Sequence, residues 1–134
     1  MPFNPLSAEE KKVIEQKGTE APFTGEYDDF YKPGTFICRK CNSPLFLSKS
    51  KFDASCGWPA FDSNYLDAVK RVTDADGRRT EIQCVHCGGH LGHVFYGEKI
   101  TEKDTRHCVN SLSIRFIPEG GDISKVIGPY PGQI

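Results

Sequence analysis

Residues 106–116 read Arg-His-Cys-Val-Asn-Ser-Leu-Ser-Ile-Arg-Phe. The second half of this stretch alternates apolar and polar residues, which predicts a half-buried β-strand. If the period of two extends backwards, a guanidinium, a thiol and an amide share the apolar face of the strand. These groups belong to Arg106, Cys108 and Asn110. A fixed cation beside a thiol favours the reactive thiolate. The stretch therefore indicates a nucleophile if the face opens onto solvent, or a buried cysteine packed as a small hydrophobe.

Length and composition fit one small domain. The chain has 134 residues, 37% of them hydrophobic, and its 13 glycines and 9 prolines indicate turns and short strands. A net charge of −1 argues against a nucleic-acid binder held by phosphate contacts. No apolar run approaches the roughly 18 residues of a membrane span, and residues 1–5 lack the pattern of a secretory signal. We therefore predict a cytoplasmic monomer that binds neither nucleic acid nor membrane.

Local patterns predict how residues 1–134 are arranged as a single domain. A capping box at residues 7–10 predicts a helix from about Ala8 to Lys17, with Gly18 in a left-handed conformation after it. Aromatic residues within 21–31 are expected to lie over the core, so residues 1–34 form an N-terminal helix and an aromatic strap. The other predicted elements are strands at 35–37, 45–47, 65–73 and 79–83, an irregular loop at 48–64, an edge segment at 124–127 and an irregular tail at 128–134.

Two Cys-x-x-Cys pairs separated by 42 residues predict a zinc site with four cysteine ligands. Four thiolates leave no open coordination position, so we expect a single structural ion that ties together two hairpins distant in sequence. Spacing alone leaves iron, or a redox-active Cys-x-x-Cys, as alternatives. His86, inside the second pair, is expected to face solvent. The predicted ligands are Cys38, Cys41, Cys84 and Cys87.

Cys56 and Cys108 remain once a metal claims the other four thiols. Two such thiols can form a reversible disulfide, with one acting as nucleophile and the other as resolving cysteine. Cys108 is the better nucleophile because it has a neighbouring cation and lies on a predicted strand. Cys56 is the better resolving cysteine because its loop can move. His90 and His93 add proton sources that titrate near neutrality.

Three motifs stand out in the sequence: Cys-Gly-Trp-Pro-Ala-Phe at 56–61, Gly-His-Leu-Gly-His-Val-Phe at 89–95 and Arg-His-Cys-Val-Asn-Ser at 106–111. They closely resemble the B-type methionine sulfoxide reductases, which reduce the R epimer of methionine sulfoxide. They follow the family's order, and the paired Cys-x-x-Cys motifs match its zinc-containing members. The resemblance extends from about Ser7 to Phe116. It implies a mainly β fold, with two antiparallel sheets in a small barrel-like core and short flanking helices.

The resemblance also implies a role for each site residue. Cys108 would attack the sulfoxide sulfur and become a sulfenic acid as methionine leaves. Cys56 would resolve it as an intramolecular disulfide, which thioredoxin would reduce. Trp58 would pack on the methyl group of the substrate, an oxidised protein or peptide. The residues that would bind the sulfoxide oxygen are His90, His93 and Asn110.

Residue chemistry supports these roles independently. A sulfoxide oxygen leaves poorly until it is protonated, so an acid is required; His93 is the first choice and His90 the second. Arg106 is expected to stabilise the thiolate before attack. Many family members carry an aspartate four residues after the second histidine, where this chain has Gly97. Glu98 is the candidate replacement and is left outside the catalytic set.

Two other classes of function stay open at this point. One is a zinc-ribbon binding module in which the spare cysteines are simply buried. The other is a general dithiol oxidoreductase acting at the Cys-x-x-Cys pairs. The polar and aromatic residues grouped around two uncommitted thiols favour the reductase, in a protein-repair role under oxidative stress. The sequence does not distinguish free from protein-bound methionine sulfoxide.

Overall fold

The computed structural model describes residues 3–74 and 77–120. The predicted edge segment at 124–127 and tail at 128–134 lie outside these ranges. The described chain is mainly β, with one α-helix and two short 3-10 turns, at Ser48–Ser50 and Ser111–Ser113. The elements are α1 (Ala8–Ile14), β1 (Gly34–Cys38), β2 (Pro44–Leu47), β3 (Lys51–Phe52), β4 (Ala60–Phe61), β5 (Val69–Thr73), β6 (Thr80–Cys84), β7 (His90–Tyr96), β8 (Thr105–Val109) and β9 (Ile114–Pro118).

Two antiparallel sheets form the domain, which confirms the predicted fold class. The smaller sheet has the strand order β2-β1-β9, and the larger has the order β3-β4-β8-β7-β6-β5. Neither sheet closes into a barrel within the described ranges. The predicted hairpins are present as β1–β2 and β5–β6, although β5 begins at Val69 rather than Tyr65. The predicted loop at 48–64 contains two short strands, of which β4 pairs with β8 and β3 pairs with β4.

Helix α1 begins at the predicted residue but is shorter than predicted. The Ser7 hydroxyl accepts from the Glu10 amide at 3.1 Å, and the Glu10 carboxylate accepts from the Ser7 amide at 2.8 Å. The helix ends at Ile14, and the left-handed residue after it is Lys17 (φ 59°), not Gly18. Gly18 is needed for close approach instead, because a Cβ there would lie 2.7 Å from the Lys12 carbonyl oxygen.

The core lies between the sheets and is centred on Phe36 of β1. The Phe36 ring centroid is 5.2 Å from that of Phe61 in the larger sheet and 5.2 Å from that of Phe116 in its own sheet. The strap covers this cluster as expected, with Tyr27 5.5 Å and Phe30 6.1 Å from Phe36. Such edge-to-face pairs stabilise a core beyond the burial of their area. Two other strap rings are exposed: Phe23 and Tyr31.

The predicted single strand through 106–116 is wrong, because the chain leaves one sheet and enters the other within it. Strand β8 ends at Val109 in the larger sheet, a 3-10 turn follows, and β9 begins at Ile114 in the smaller sheet. On β8 the buried face carries His107 and Val109. Arg106 and Cys108 therefore occupy the opposite, more open face, and they do not share the apolar face of β9 as the alternation predicted.

Candidate active site and metal centre

Four cysteine sulfurs converge where the two sheets meet. Their Sγ atoms all lie within 4.8 Å of one another. The Cys38–Cys87 and Cys41–Cys84 sulfur pairs are each 3.6 Å apart. A tetrahedral site with metal–sulfur bonds of about 2.3 Å separates its sulfurs by about 3.8 Å, so this cluster has the dimensions to hold such an ion. His86 is exposed, as predicted.

The metal-binding cluster joins parts of the fold that are distant in sequence. One pair of cysteines belongs to the β1–β2 hairpin and the other to the β6–β7 connection. The connection continues directly into β7, which starts at His90. An ion held by this cluster would therefore fix the start of β7 against the smaller sheet.

A cavity of about 170 Å³ opens beside β8. Trp58 forms part of its wall, together with Phe95, which was not singled out from the sequence. His90 does not line it. Thr19 and Arg79 also reach the cavity, and neither was predicted. The predicted site residues that do line it are Cys56, Trp58, His93, Arg106, Cys108 and Asn110.

Strand pairing places Cys108 at the centre of these groups. Cys108 lies opposite Ala60 of β4 on one side and opposite His93 of β7 on the other. The loop before β4 carries Cys56, so the same pairing brings both thiols to the cavity. Gly92 permits the close approach of β7, since a Cβ there would collide with the carbonyl oxygen of Cys108.

Cys56 and Cys108 are both reduced and share a hydrogen bond between their side chains. This bond from the Cys108 thiol is the main reason that the pKa of Cys56 falls to about 6, and Arg106 adds to the effect. The same bond, together with burial, raises the pKa of Cys108. Two thiols coupled in this way hold one proton between them near neutral pH. Arg106 favours the thiolate form of both thiols, and the thiolate predicted at Cys108 stays a prediction.

We expect alkylation of Cys56 by iodoacetamide to follow a titration with a midpoint near the pKa of about 6. Cys108→Ala removes the hydrogen-bond donor, so the midpoint should rise towards the ordinary cysteine value of about 8.5. Cys108→Ser keeps a donor and should leave the midpoint low. The rate at Cys56 is measured by peptide mass spectrometry at each pH. An unchanged midpoint in Cys108→Ala would contradict this coupling.

Glu98 holds Arg106 rather than a histidine. Its carboxylate accepts two hydrogen bonds from the guanidinium, at 2.6 Å from Nε and 3.0 Å from Nη2. This pairing lowers the pKa of Glu98. The guanidinium also lies 4.4 Å from the centroid of the Phe95 ring. Arg106 is therefore fixed from two sides while it acts electrostatically on both thiols.

His93 is paired with a carboxylate that the sequence did not indicate. Its Nε2 lies 2.6 Å from Oδ2 of Asp74, at the end of the β5–β6 hairpin. The same carboxylate oxygen lies 3.3 Å from the Arg79 guanidinium. With Nε2 donating to Asp74, the ring orientation is fixed and the other nitrogen is available for the cavity.

His90 lies behind the cavity in a buried polar cluster. Its Nδ1 is 2.8 Å from Oε2 of the buried Glu81, whose other oxygen lies 3.1 Å from Nζ of Lys17. Burial lowers the pKa of His90, which favours the neutral ring. Its Nε2 has no hydrogen-bond partner within the described part of the chain. Of the two predicted acids, His93 is the one that lines the cavity.

Asn110 and Trp58 are both oriented by Glu20, the residue directly before the strap at 21–31. The Asn110 amide accepts from the Glu20 backbone N–H at 3.0 Å and donates to the Leu91 carbonyl at 3.1 Å. The indole N–H of Trp58 donates to the Glu20 carbonyl at 3.0 Å. The segment that leads into the strap thus contacts residues of the cavity.

The SelR domain family matches residues 6–118. Peptide methionine sulfoxide reductase B3 of Arabidopsis thaliana is 54% identical over 119 residues, which are 88% of this chain and 68% of that protein. Peptide methionine sulfoxide reductase B5 of Oryza sativa subsp. japonica is 54% identical over 114 residues, 84% of each chain. The chain belongs to the B-type methionine sulfoxide reductase family. The resemblance inferred from the three motifs is confirmed, and the chain is a methionine sulfoxide reductase rather than a binding module.

Several predictions about this reductase stay predictions. No helix in the described ranges has the length and apolar character to cross a bilayer. A similar protein, peptide methionine sulfoxide reductase B2, chloroplastic, of Arabidopsis thaliana, is 53% identical over 115 residues, which are 85% of this chain and 57% of that protein. A cytoplasmic location, a monomeric state and the absence of nucleic-acid binding are therefore still expectations.

Three acidic residues of the reductase site escaped prediction from the sequence: Glu20, Asp74 and Glu81. Each contacts its partner through tertiary structure, and none belongs to a spaced motif. Glu81 lies in the predicted strand 79–83, where a single buried acid carries no recognisable signal. The sequence places Asp74 in a turn, for which aspartate is a common residue.

Proposed function

We propose that this reductase acts on the R epimer of methionine sulfoxide in oxidised proteins or peptides, and that thioredoxin returns it to the reduced state. Cys108 is the nucleophile and Cys56 the resolving cysteine. The observation that carries the proposal is the pair of reduced thiols in one cavity with an aromatic wall and His93.

The cavity can orient the substrate because one part of its wall is apolar and another is polar. Trp58 and Phe95 provide an apolar surface for the methyl group, and His93 provides a polar group for the oxygen. A sulfoxide sulfur carries a methyl group, a longer carbon chain, an oxygen and a lone pair. Fixing the methyl and oxygen positions therefore leaves one epimer able to present its sulfur to Cys108. Hydrogen bonding to the oxygen supplies the discrimination between epimers.

The first chemical step transfers the oxygen from the sulfoxide to the sulfur of Cys108. Cys108 gives its proton to Cys56 through their shared hydrogen bond and attacks the sulfoxide sulfur as a thiolate. His93 protonates the sulfoxide oxygen, the oxygen passes to Cys108, and methionine leaves. The cysteine is oxidised to a sulfenic acid by two electrons as the sulfoxide is reduced by two. Although Cys56 has the lower pKa, a thiolate of higher pKa is the stronger nucleophile, and Cys108 lies on a fixed strand.

The second step regenerates the site. Cys56 attacks the sulfenic sulfur of Cys108, water leaves, and an intramolecular disulfide forms. A thioredoxin dithiol then reduces this disulfide by exchange. The position of Cys56 on a loop suits it to close the bond and to accept attack by the reductant.

We propose that the metal held by the four-cysteine cluster is zinc. The all-thiolate donor set and the sulfur spacings of 3.6 Å fit tetrahedral zinc, which supplies structural cross-linking rather than redox chemistry. Iron in the same cage is the alternative, and elemental analysis of the purified protein distinguishes the two.

Replacing Asp74 by asparagine is expected to lower kcat, because an amide does not stabilise a protonated His93 or fix its orientation as a carboxylate does. Loss of a general acid costs about 10²- to 10⁴-fold in rate, and we expect His93→Gln to fall in this range with Asp74→Asn at its lower end. Asp67→Asn, at an exposed aspartate before β5, is the matched control and should keep wild-type kcat. Full activity of both Asp74→Asn and His93→Gln would show that His93 is not the general acid.

An epimer-resolved turnover assay tests the proposed function. Peptides containing methionine-R-sulfoxide or methionine-S-sulfoxide are supplied with thioredoxin, thioredoxin reductase and NADPH. We expect NADPH consumption with the R epimer only, matched by methionine formation. Equal use of the two epimers, or methionine formation without NADPH consumption, would contradict the proposed substrate or reductant.

A further inference from the structure

We propose that Glu20 is a positioning residue that sets the catalytic geometry by joining the strap, the end of β8 and Trp58. This inference rests on the proposed function, because it concerns the residues assigned there to substrate binding. Glu20 itself does not line the catalytic cavity, although the adjacent Thr19 does. Its effect is therefore exerted through the residues that it holds.

The Glu20 carboxylate caps the turn that follows the nucleophile. Oε2 accepts from the Ser111 amide at 2.9 Å, and Oε1 accepts from the Leu112 amide at 3.1 Å. These amides begin the 3-10 turn, whose N-cap residue, Asn110, makes no side-chain cap hydrogen bond. The cap comes instead from a residue 91 positions away in sequence. Cys108 is followed by a turn that depends on this carboxylate for its amide hydrogen bonds.

The backbone of Glu20 orients two cavity groups at once. Its N–H donates to the Asn110 side-chain oxygen, and its carbonyl accepts from the Trp58 indole, both at 3.0 Å. The Asn110 amide and the Trp58 ring are therefore fixed relative to each other through a single peptide segment. That segment is held in place by the side chain's bonds to the turn.

The Glu20 side chain is largely buried and borders a second cavity, of about 560 Å³. Glu20 is 9% exposed, and burial raises its pKa, while the Ser111 and Leu112 hydrogen bonds and Arg39 act in the opposite direction. A Cβ at Gly25 would collide with the Glu20 carboxylate and the Ser111 hydroxyl. A buried carboxylate is costly unless its oxygens accept hydrogen bonds, and here both do.

The strap has other attachments that should preserve the fold without Glu20. The Tyr27 amide donates to the Ser111 hydroxyl at 3.1 Å, and the Tyr27 hydroxyl accepts from the Phe116 amide at 3.1 Å. Tyr27 and Phe30 also pack on Phe36. Loss of Glu20 is therefore expected to loosen the cavity residues more than the core.

Trp58 is the only tryptophan in the chain, so its fluorescence reports this geometry directly. In Glu20→Gln and Glu20→Ala we expect a red-shifted emission and stronger acrylamide quenching, with the larger change in Glu20→Ala. The kcat/KM for the R-sulfoxide peptide should fall by about 10- to 100-fold, the scale of a small misplacement of reacting groups. Glutamine keeps the shape and one acceptor oxygen, so it should retain the fold and part of the activity.

Glu9→Gln, on the exposed surface of α1, is the control and should match the wild type in both measurements. Wild-type fluorescence and kinetics in folded Glu20→Gln would overturn the positioning role, and so would failure of Glu20→Gln to fold. The fluorescence change does not depend on substrate. If the wild type fails the R-sulfoxide assay while Glu20→Gln still changes the Trp58 signal, the proposed function fails and the positioning of Trp58 stands.

Discussion

Cys108→Ser is expected to abolish turnover, by on the order of 10⁴-fold or more, as is typical when the group that forms the covalent bond is removed. Serine keeps a hydroxyl donor towards Cys56, so the cavity and its hydrogen bonding should persist. What is lost is the polarisable sulfur that attacks the substrate and accepts its oxygen. The rate is measured with the R-sulfoxide peptide and the thioredoxin system, and metal content and thermal stability serve as folding controls.

The matched variant Cys56→Ser should behave differently. It keeps Cys108, so one equivalent of methionine should form per protein and the sulfenic acid should then persist, because no resolving thiol is present. Dimedone labelling at Cys108, detected by mass spectrometry, checks this outcome. Cys56 has the lower pKa, so the reverse pattern is a real alternative. Single turnover by Cys108→Ser, together with an inactive Cys56→Ser, would show that Cys56 is the nucleophile and Cys108 the resolving cysteine.

Loss of one metal ligand is expected to unfold the domain. Structural zinc contributes an apparent binding free energy of about 10–16 kcal/mol at neutral pH, whereas small domains have total stabilities of about 5–15 kcal/mol. With zinc bound as proposed, Cys84→Ser would remove the ligand that links β6 to the smaller sheet, so the free energy of unfolding should fall by several kcal/mol. Elemental analysis and thermal unfolding followed by circular dichroism measure the effect.

Cys56→Ser is also the control here, since it removes a cysteine outside the cluster. It should keep one metal ion per chain and unfold at the wild-type temperature. A Cys84→Ser protein that is metal-free yet equally stable would show that the four-cysteine cluster does not support the fold.

The features predicted correctly from the sequence are those in which neighbouring residues carry the signal. The capping box at 7–10 fixes the start of α1 because its two partners are three residues apart. The hairpins are signalled by alternation and turn residues. The four-cysteine cluster was recognisable because each pair has its own short spacing, although the pairs are 42 residues apart.

The break between β8 and β9 shows where a periodic pattern misleads. Extended backwards, the period of Ile114 and Phe116 falls on Cys108, whereas β8 buries His107 and Val109. A 3-10 turn of three residues leaves no distinct mark in such a short segment. The pattern consequently placed Cys108 on an apolar face, whereas the face that carries it opens onto the cavity.

The acidic residues that orient the site residues could not be predicted from the sequence, because their partners are set by tertiary structure. Glu20 contacts a turn 91 residues away, and Asp74, in the turn after β5, contacts His93 on β7. The carboxylate expected near the second histidine is present as Glu98, but its partner is Arg106. Motifs thus indicated the reacting groups, while the residues that orient those groups became recognisable only in the fold.

The central claim is that Cys108 and Cys56 convert one sulfoxide into one disulfide, and a single-turnover experiment tests it most directly. Reduced, metal-loaded protein is mixed with one equivalent of the methionine-R-sulfoxide peptide in the absence of a reductant, and is analysed by intact mass and peptide mapping. We expect one equivalent of methionine, a Cys56–Cys108 disulfide and full retention of the metal. Methionine formation that leaves both thiols free, or a disulfide within the four-cysteine cluster, would contradict the account.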